Sequence, residues 1–132
     1  MQTLNQFIAS HKITCTADYA DSNPNMADDW PANHYRCVLK MGKRRMTVPF
    51  SMGLGLTAEP GADDVLDALA SDAAGVENAG SFEDWCGEYG YEIDSRKAER
   101  IFKVCQRQAI ALKKFLGNHE DYQALLFDTE RK

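Results

Sequence analysis

Leu4, Phe7 and Ile8 fall on one helical face directly after Thr3, a residue suited to cap a helix start. The β-branched run Ile13-Thr14-Cys15-Thr16 then predicts a strand over Ile13–Asp18. From Asp21 to Asn33 two prolines and several Asn and Asp residues favour turns, with Trp30 expected to anchor the loop. His34–Met41 and Arg45–Ser51 alternate in part and are joined by Gly42-Lys43-Arg44, the clearest hairpin signal in the chain. The glycine-rich stretch after Ser51 predicts no regular element. Beyond Gly61, however, Val65, Leu66, Leu69 and Ala73 recur at helical spacing behind Asp63 and Asp64, which suit a helix N-terminus. Ser81 with Asp84 has the spacing of a capping box for a short helix presenting Phe82, Trp85 and Cys86, ended by Gly90. Asp94 is placed to cap the longest helix, Ser95 to Leu116, whose apolar stripe is Ala98, Ile101, Cys105, Ala109, Leu112 and Leu116 and whose stop is Gly117. A last short helix is expected around Asp121–Phe127.

These elements predict an α+β fold in which a small three-stranded antiparallel sheet packs against a long C-terminal helix and shorter helices. At 132 residues the expectation is one domain over 1–132, and 44% apolar residues argue against disorder. The opening residues lack the basic and apolar regions of a signal peptide, and no stretch is apolar enough to span a bilayer. The expected setting is therefore the cytoplasm, with no membrane partner. Cys15, Cys37, Cys86 and Cys105 are widely spaced, without a C-x-x-C pair, and read as free thiols behaving like small apolar residues.

Charge sharpens this picture. The net charge is −5, but between Arg45 and Arg96 there is no lysine or arginine at all, while eleven acidic residues lie from Glu59 to Asp94. Such a segment can form a negative surface that meets a basic protein groove, with Asp63, Asp64, Asp67, Glu83, Asp84 and Glu88 as exposed candidates. The plainer reading is that these acids cap helices and keep the surface solvated. Basic residues collect at the hairpin, as Arg36, Lys40, Lys43, Arg44 and Arg45, and on the long helix, where Arg96, Arg100, Lys103 and Arg107 form a stripe. Lys43, Arg44 and Arg45 make an alternative phosphate-contacting tip, with Tyr35 able to stack on a base, although a chain of pI ≈ 5.1 repels nucleic acid elsewhere on its surface.

Catalytic signals are weak. Gly53-Leu54-Gly55 lacks the residues of a phosphate loop, and Ser51, Ser71 and Ser81 lack the strand-turn-helix setting of a nucleophile elbow. Cys37 and His34 are three apart on a strand and so face opposite ways. His11, His34 and His119 lack metal-ligand spacing, the nearest approach to a site being His34 with Asp28 and Asp29. No catalytic residue, metal or cofactor is expected, and a small enzyme is the third-ranked reading. Trp30, Trp85, Tyr89 and Tyr91 are expected to pack loops or, failing that, to anchor an interface.

The runs DSNPNMADDW, GKRRMTVPFSMGLG and DVLDALASDAAGVENAGSFEDWCGEYGYEIDSRKAER resemble a group of small proteins encoded by bacteriophages and prophages, over most of the chain. The resemblance carries no catalytic or binding residue to this sequence. It implies an accessory factor, a class that includes anti-CRISPR proteins binding host defence machinery. The leading expectation is accordingly an inhibitor of a bacterial host protein with a basic surface, such as a CRISPR–Cas effector, engaged through the acidic segment. The rival is a nucleic-acid-binding accessory protein using the hairpin.

Overall fold

The computed structural model describes residues 1–25, 32–54 and 58–130, so Trp30, Asp28 and Asp29 lie outside the described residues. The elements run β1 (Gln2–Thr3), α1 (Leu4–His11), β2 (Thr14–Ala20), β3 (Ala32–Met41), β4 (Arg44–Gly53), α2 (Ala62–Ala79), α3 (Phe82–Tyr89), α4 (Arg96–Leu116), α5 (His119–Phe127) and β5 (Thr129–Glu130). The fold is α+β. The chain divides into two compact units, Met1–Asp67 with Glu130–Lys132, and Ala68–Thr129.

In the first unit Thr3 starts α1 through a reciprocal box. The Gln6 N–H donates to Thr3 Oγ1 at 3.2 Å and the Thr3 N–H to Gln6 Oε1 at 2.8 Å, satisfying two donors that a helix start otherwise leaves open. The sheet has the order β2-β3-β4, antiparallel throughout. All three strands run further than the sequence pattern indicates, because the added residues find partners: Tyr19 opposite Tyr35, Ala20 opposite His34, and Ala32 opposite Gly53. One face buries Cys37, Leu39, Met46 and Val48, which are cross-strand neighbours in this register. β1 and β5 form a separate two-stranded sheet, Glu130 of β5 belonging to this unit.

The second unit is helical and its caps are local. Ser81 Oγ accepts from the Asp84 N–H at 3.1 Å to open α3, and Gly90, at φ 75°, closes it. α4 is capped by Ser95 rather than Asp94. The extended Ser95 backbone lets its hydroxyl accept from the Ala98 N–H at 3.1 Å, the reach that a cap three residues upstream requires. Asn118 likewise opens α5 two residues earlier than expected, accepting from the Asp121 N–H at 2.8 Å. Trp85, Cys86, Ala98 and Phe102 form a buried cluster against which Val76, Ala79, Phe82, Tyr91 and Ile101 pack. Phe102, not Ile101, is therefore the buried member of the α4 stripe at this level, since the larger ring fills the space around Trp85. No helix among the described residues is long and apolar enough to cross a membrane.

Candidate functional site

The acidic candidates separate by the helix that carries them. In α3, Trp85 and Cys86 are buried, and at about 100° per residue the opposite side of the helix carries Glu83, Asp84 and Glu88. All three are exposed, and the helix holds no basic residue, so every charge on its outer face is negative. Glu83 and Asp84 also sit in the first turn, where negative charge complements the helix dipole.

α2 is less uniform. Asp63 and Asp67 lie one turn apart on one side, with Asp64 about 100° further round. The Asp64 carboxylate accepts from the Gly61 N–H at 2.9 Å and so helps to start the helix. Asp67 is half-buried and not the exposed acid expected from the sequence, because α2 turns it toward the edge of the stripe that buries Leu66 and Ala70.

The hairpin cations do not converge. Gly42, at φ 61°, makes the turn with Lys43, and successive strand residues then alternate, sending Arg44 and Arg45 to opposite faces. Tyr35 does not join them either. It pairs with Phe50, far from the turn, and meets Tyr19 edge-on at 5.9 Å on the face opposite Arg45. What the register does create is a different set: Lys40 stands directly opposite Arg45 on the exposed face, with Arg36 further along the same strand face. On α4, Arg96, Arg100, Lys103 and Arg107 are all exposed along the outer side, and Lys103 pairs with Glu99 at 2.8 Å.

Two groupings are not visible as motifs in the sequence. Ser51 Oγ accepts from Asn23 Nδ2 at 2.8 Å and lies 2.8 Å from His34 Nδ1, while the buried Asn23 accepts from the Asn25 N–H at 2.9 Å. This network ties the segment after β2 to the β3–β4 pair. The serine oxygen accepts from Asn23, which engages one of its two lone pairs.

The second grouping is a cleft of ≈ 230 Å³ lined by Asp72, Trp85, Tyr89, Tyr91, Ile101 and Cys105, all within the second unit. Burial, with the nearby Asp72 charge, pushes the Cys105 thiol up to about 12. At neutral pH it is a thiol rather than the nucleophilic thiolate. Asp72 is exposed as a residue, but its carboxyl faces enough protein to be held above the usual carboxylate range by desolvation. Such a lining can bind but is poorly equipped to attack. Burial also pushes the Cys37 thiol in the sheet up to about 12, beside Cys15. All four cysteines are free.

The signal for the cleft in the sequence is indirect. Gly75 sits in a helix interior, where glycine is unfavourable without a packing reason. Among the described residues no group of three or more His, Cys, Asp or Glu side chains is arranged to hold a metal ion. His11 stacks on Phe7 at 4.0 Å, and a site joining His34 to Asp28 and Asp29 falls outside the described residues. The chain matches no protein-family model, no curated protein and no solved structure.

Proposed function

We propose that the protein is a non-enzymatic binding protein that occupies a basic surface on a bacterial host protein and blocks it, acting in the host cytoplasm as a phage-encoded factor of the anti-CRISPR kind does. The observation that carries this reading is the outer face of α3, where Glu83, Asp84 and Glu88 are exposed together. Three carboxylates on one short, capped helix produce a fixed negative ridge, and such a ridge raises the rate of encounter with a basic groove and sets its orientation. The resemblance to phage-encoded proteins supplies the context, with a CRISPR–Cas effector as the first target to test.

The test is capture of purified CRISPR–Cas effectors and of nuclease-treated bacterial lysate by the tagged protein, with bound species identified by mass spectrometry. Stoichiometric, nuclease-resistant capture of an effector is expected. It should weaken about tenfold or more when Glu83→Lys and Glu88→Lys are combined, while the circular dichroism spectrum stays unchanged. Undiminished capture by the reversed variant would remove the acidic face from the mechanism.

A second reading is favoured by one observation. Lys40 and Arg45 are held directly opposite each other on the exposed sheet face, an arrangement that like charges normally disfavour, with Arg36 nearby. A phosphate backbone would relieve that repulsion, and the reading predicts nuclease-sensitive capture together with a low-salt gel shift lost on Lys40→Ala and Arg45→Ala.

A further inference from the structure

The cleft in the second unit combines features that a merely unfilled gap in a core does not need. Its lining is three aromatic side chains, one carboxylate, one aliphatic group and one thiol, with no lysine, arginine or histidine among them. Trp85 forms the floor. It is only 4% exposed, stacks nearly parallel to Tyr91 at 5.3 Å and 6°, and is backed by Phe102 at 5.2 Å. A ring held on several sides presents a fixed surface rather than an adaptable one.

Tyr89 forms a wall although it is 50% exposed, and its ring lies 5.2 Å from that of Trp85. Its placement depends on Gly75: a Cβ there would collide with the Tyr89 hydroxyl. A glycine inside a helix costs roughly 1 kcal/mol relative to alanine. That cost falls one turn from Asp72, at the position where α2 admits Tyr89 to the cleft.

The charge balance selects the occupant. Desolvation alone holds the Asp72 carboxyl above its ordinary range, with no basic side chain in the lining to offset it. An anion would be repelled, and an apolar molecule would deepen the desolvation of the carboxylate. A cation gains from the carboxylate and from the negative faces of the rings together. Size narrows the class further. At ≈ 230 Å³ the cleft is below the roughly 300–1,000 Å³ of pockets that enclose a drug-sized ligand, which fits a head group rather than a whole cofactor. The protonated Cys105 leaves the occupant chemically untouched.

We propose that the cleft formed by Asp72, Trp85, Tyr89 and Tyr91 is a binding site for an alkylammonium or guanidinium head group. The head group can arrive on a free small molecule or on a lysine or arginine side chain. The site is distinct from the acidic ridge, since none of Glu83, Asp84 and Glu88 lines the cleft.

The test is titration of the ¹⁵N-labelled full-length protein, followed at the Trp85 indole N–H and assigned with a Trp30→Phe variant. The probes are tetramethylammonium, methylguanidinium, a short arginine- and lysine-containing peptide, and tert-butanol as the neutral control. Saturable indole shifts are expected with the cations and not with tert-butanol, weakened about tenfold in Asp72→Asn. Gly75→Ala, which strengthens the helix while displacing Tyr89, should weaken binding without lowering the melting temperature. Tighter binding of the peptide assigns the source to a protein chain, and equal or tighter binding of the free cations assigns it to a small molecule; both support the site. Absence of saturation with all three cations, equal response to tert-butanol, or unchanged affinity in Asp72→Asn overturns it.

Discussion

The tip of the β3–β4 hairpin and the outer face of α3 each carry adjacent residues of like charge, yet the fold treats them in opposite ways. At the hairpin Arg44 and Arg45 are sent to different faces, because a strand alternates its side chains with a period of two. On α3 the adjacent Glu83 and Asp84 stay together and are joined by Glu88, because only the narrow stripe around Trp85 and Cys86 is buried and the rest of the helix circumference faces water. Consecutive charges in a sequence are thus a surface feature only where the element's period keeps them on one side. The same difference builds the hairpin's real basic set from residues distant in sequence, since the register brings Lys40 against Arg45.

The comparison rests on the buried stripe that orients α3, and Trp85→Ala attacks it most directly. Trp85 touches Phe82, Tyr89, Tyr91 and Phe102. Truncating a buried aromatic of this kind costs about 3–5 kcal/mol. Urea unfolding of the full chain should show that loss, and a change below 1 kcal/mol would mean that the stripe does not hold the helix. Ser81→Ala is expected to cost about 1 kcal/mol by removing the hydroxyl that accepts from the Asp84 N–H. The same measurement checks it, with Ser81→Asp as the variant that should restore stability. The smallest effect belongs to the strand side. Arg45→Glu places opposite charges across from one another at Lys40 and should add about 0.2–1 kcal/mol. A double-mutant cycle with Lys40→Met isolates the pair, and zero coupling would break the register argument for the basic set.

Much of the fold was legible because its signals are local. Thr3, Ser81 before Asp84, Gly90 and Gly117 specify helix ends through hydrogen bonds spanning three or four residues, and Gly42 specifies the hairpin turn. The one displaced cap, from Asp94 to Ser95, moved by a single residue, because both side chains can accept the bond and the backbone conformation decides which is in reach. The site was less legible. Asp67 reads as an exposed acid until its place on α2 is known, and Tyr35 reads as a partner for the hairpin cations until its face is known.

The cleft illustrates the division most clearly. Asp72, Tyr89 and Cys105 are spread along the sequence and share no spacing that any binding motif uses; they meet because α2, α3 and α4 carry them to one place. By itself the sequence determined the α+β class, the three antiparallel strands, several of the helix starts and stops, and the concentration of acid between Arg45 and Arg96, all of which depend on neighbours within a few residues or on composition. Tertiary structure alone decided which charges share a face, which aromatics enclose a cleft and which thiols are buried. Those properties depend on burial and on distances between residues far apart in the chain, and neither exists until the helices and strands are packed.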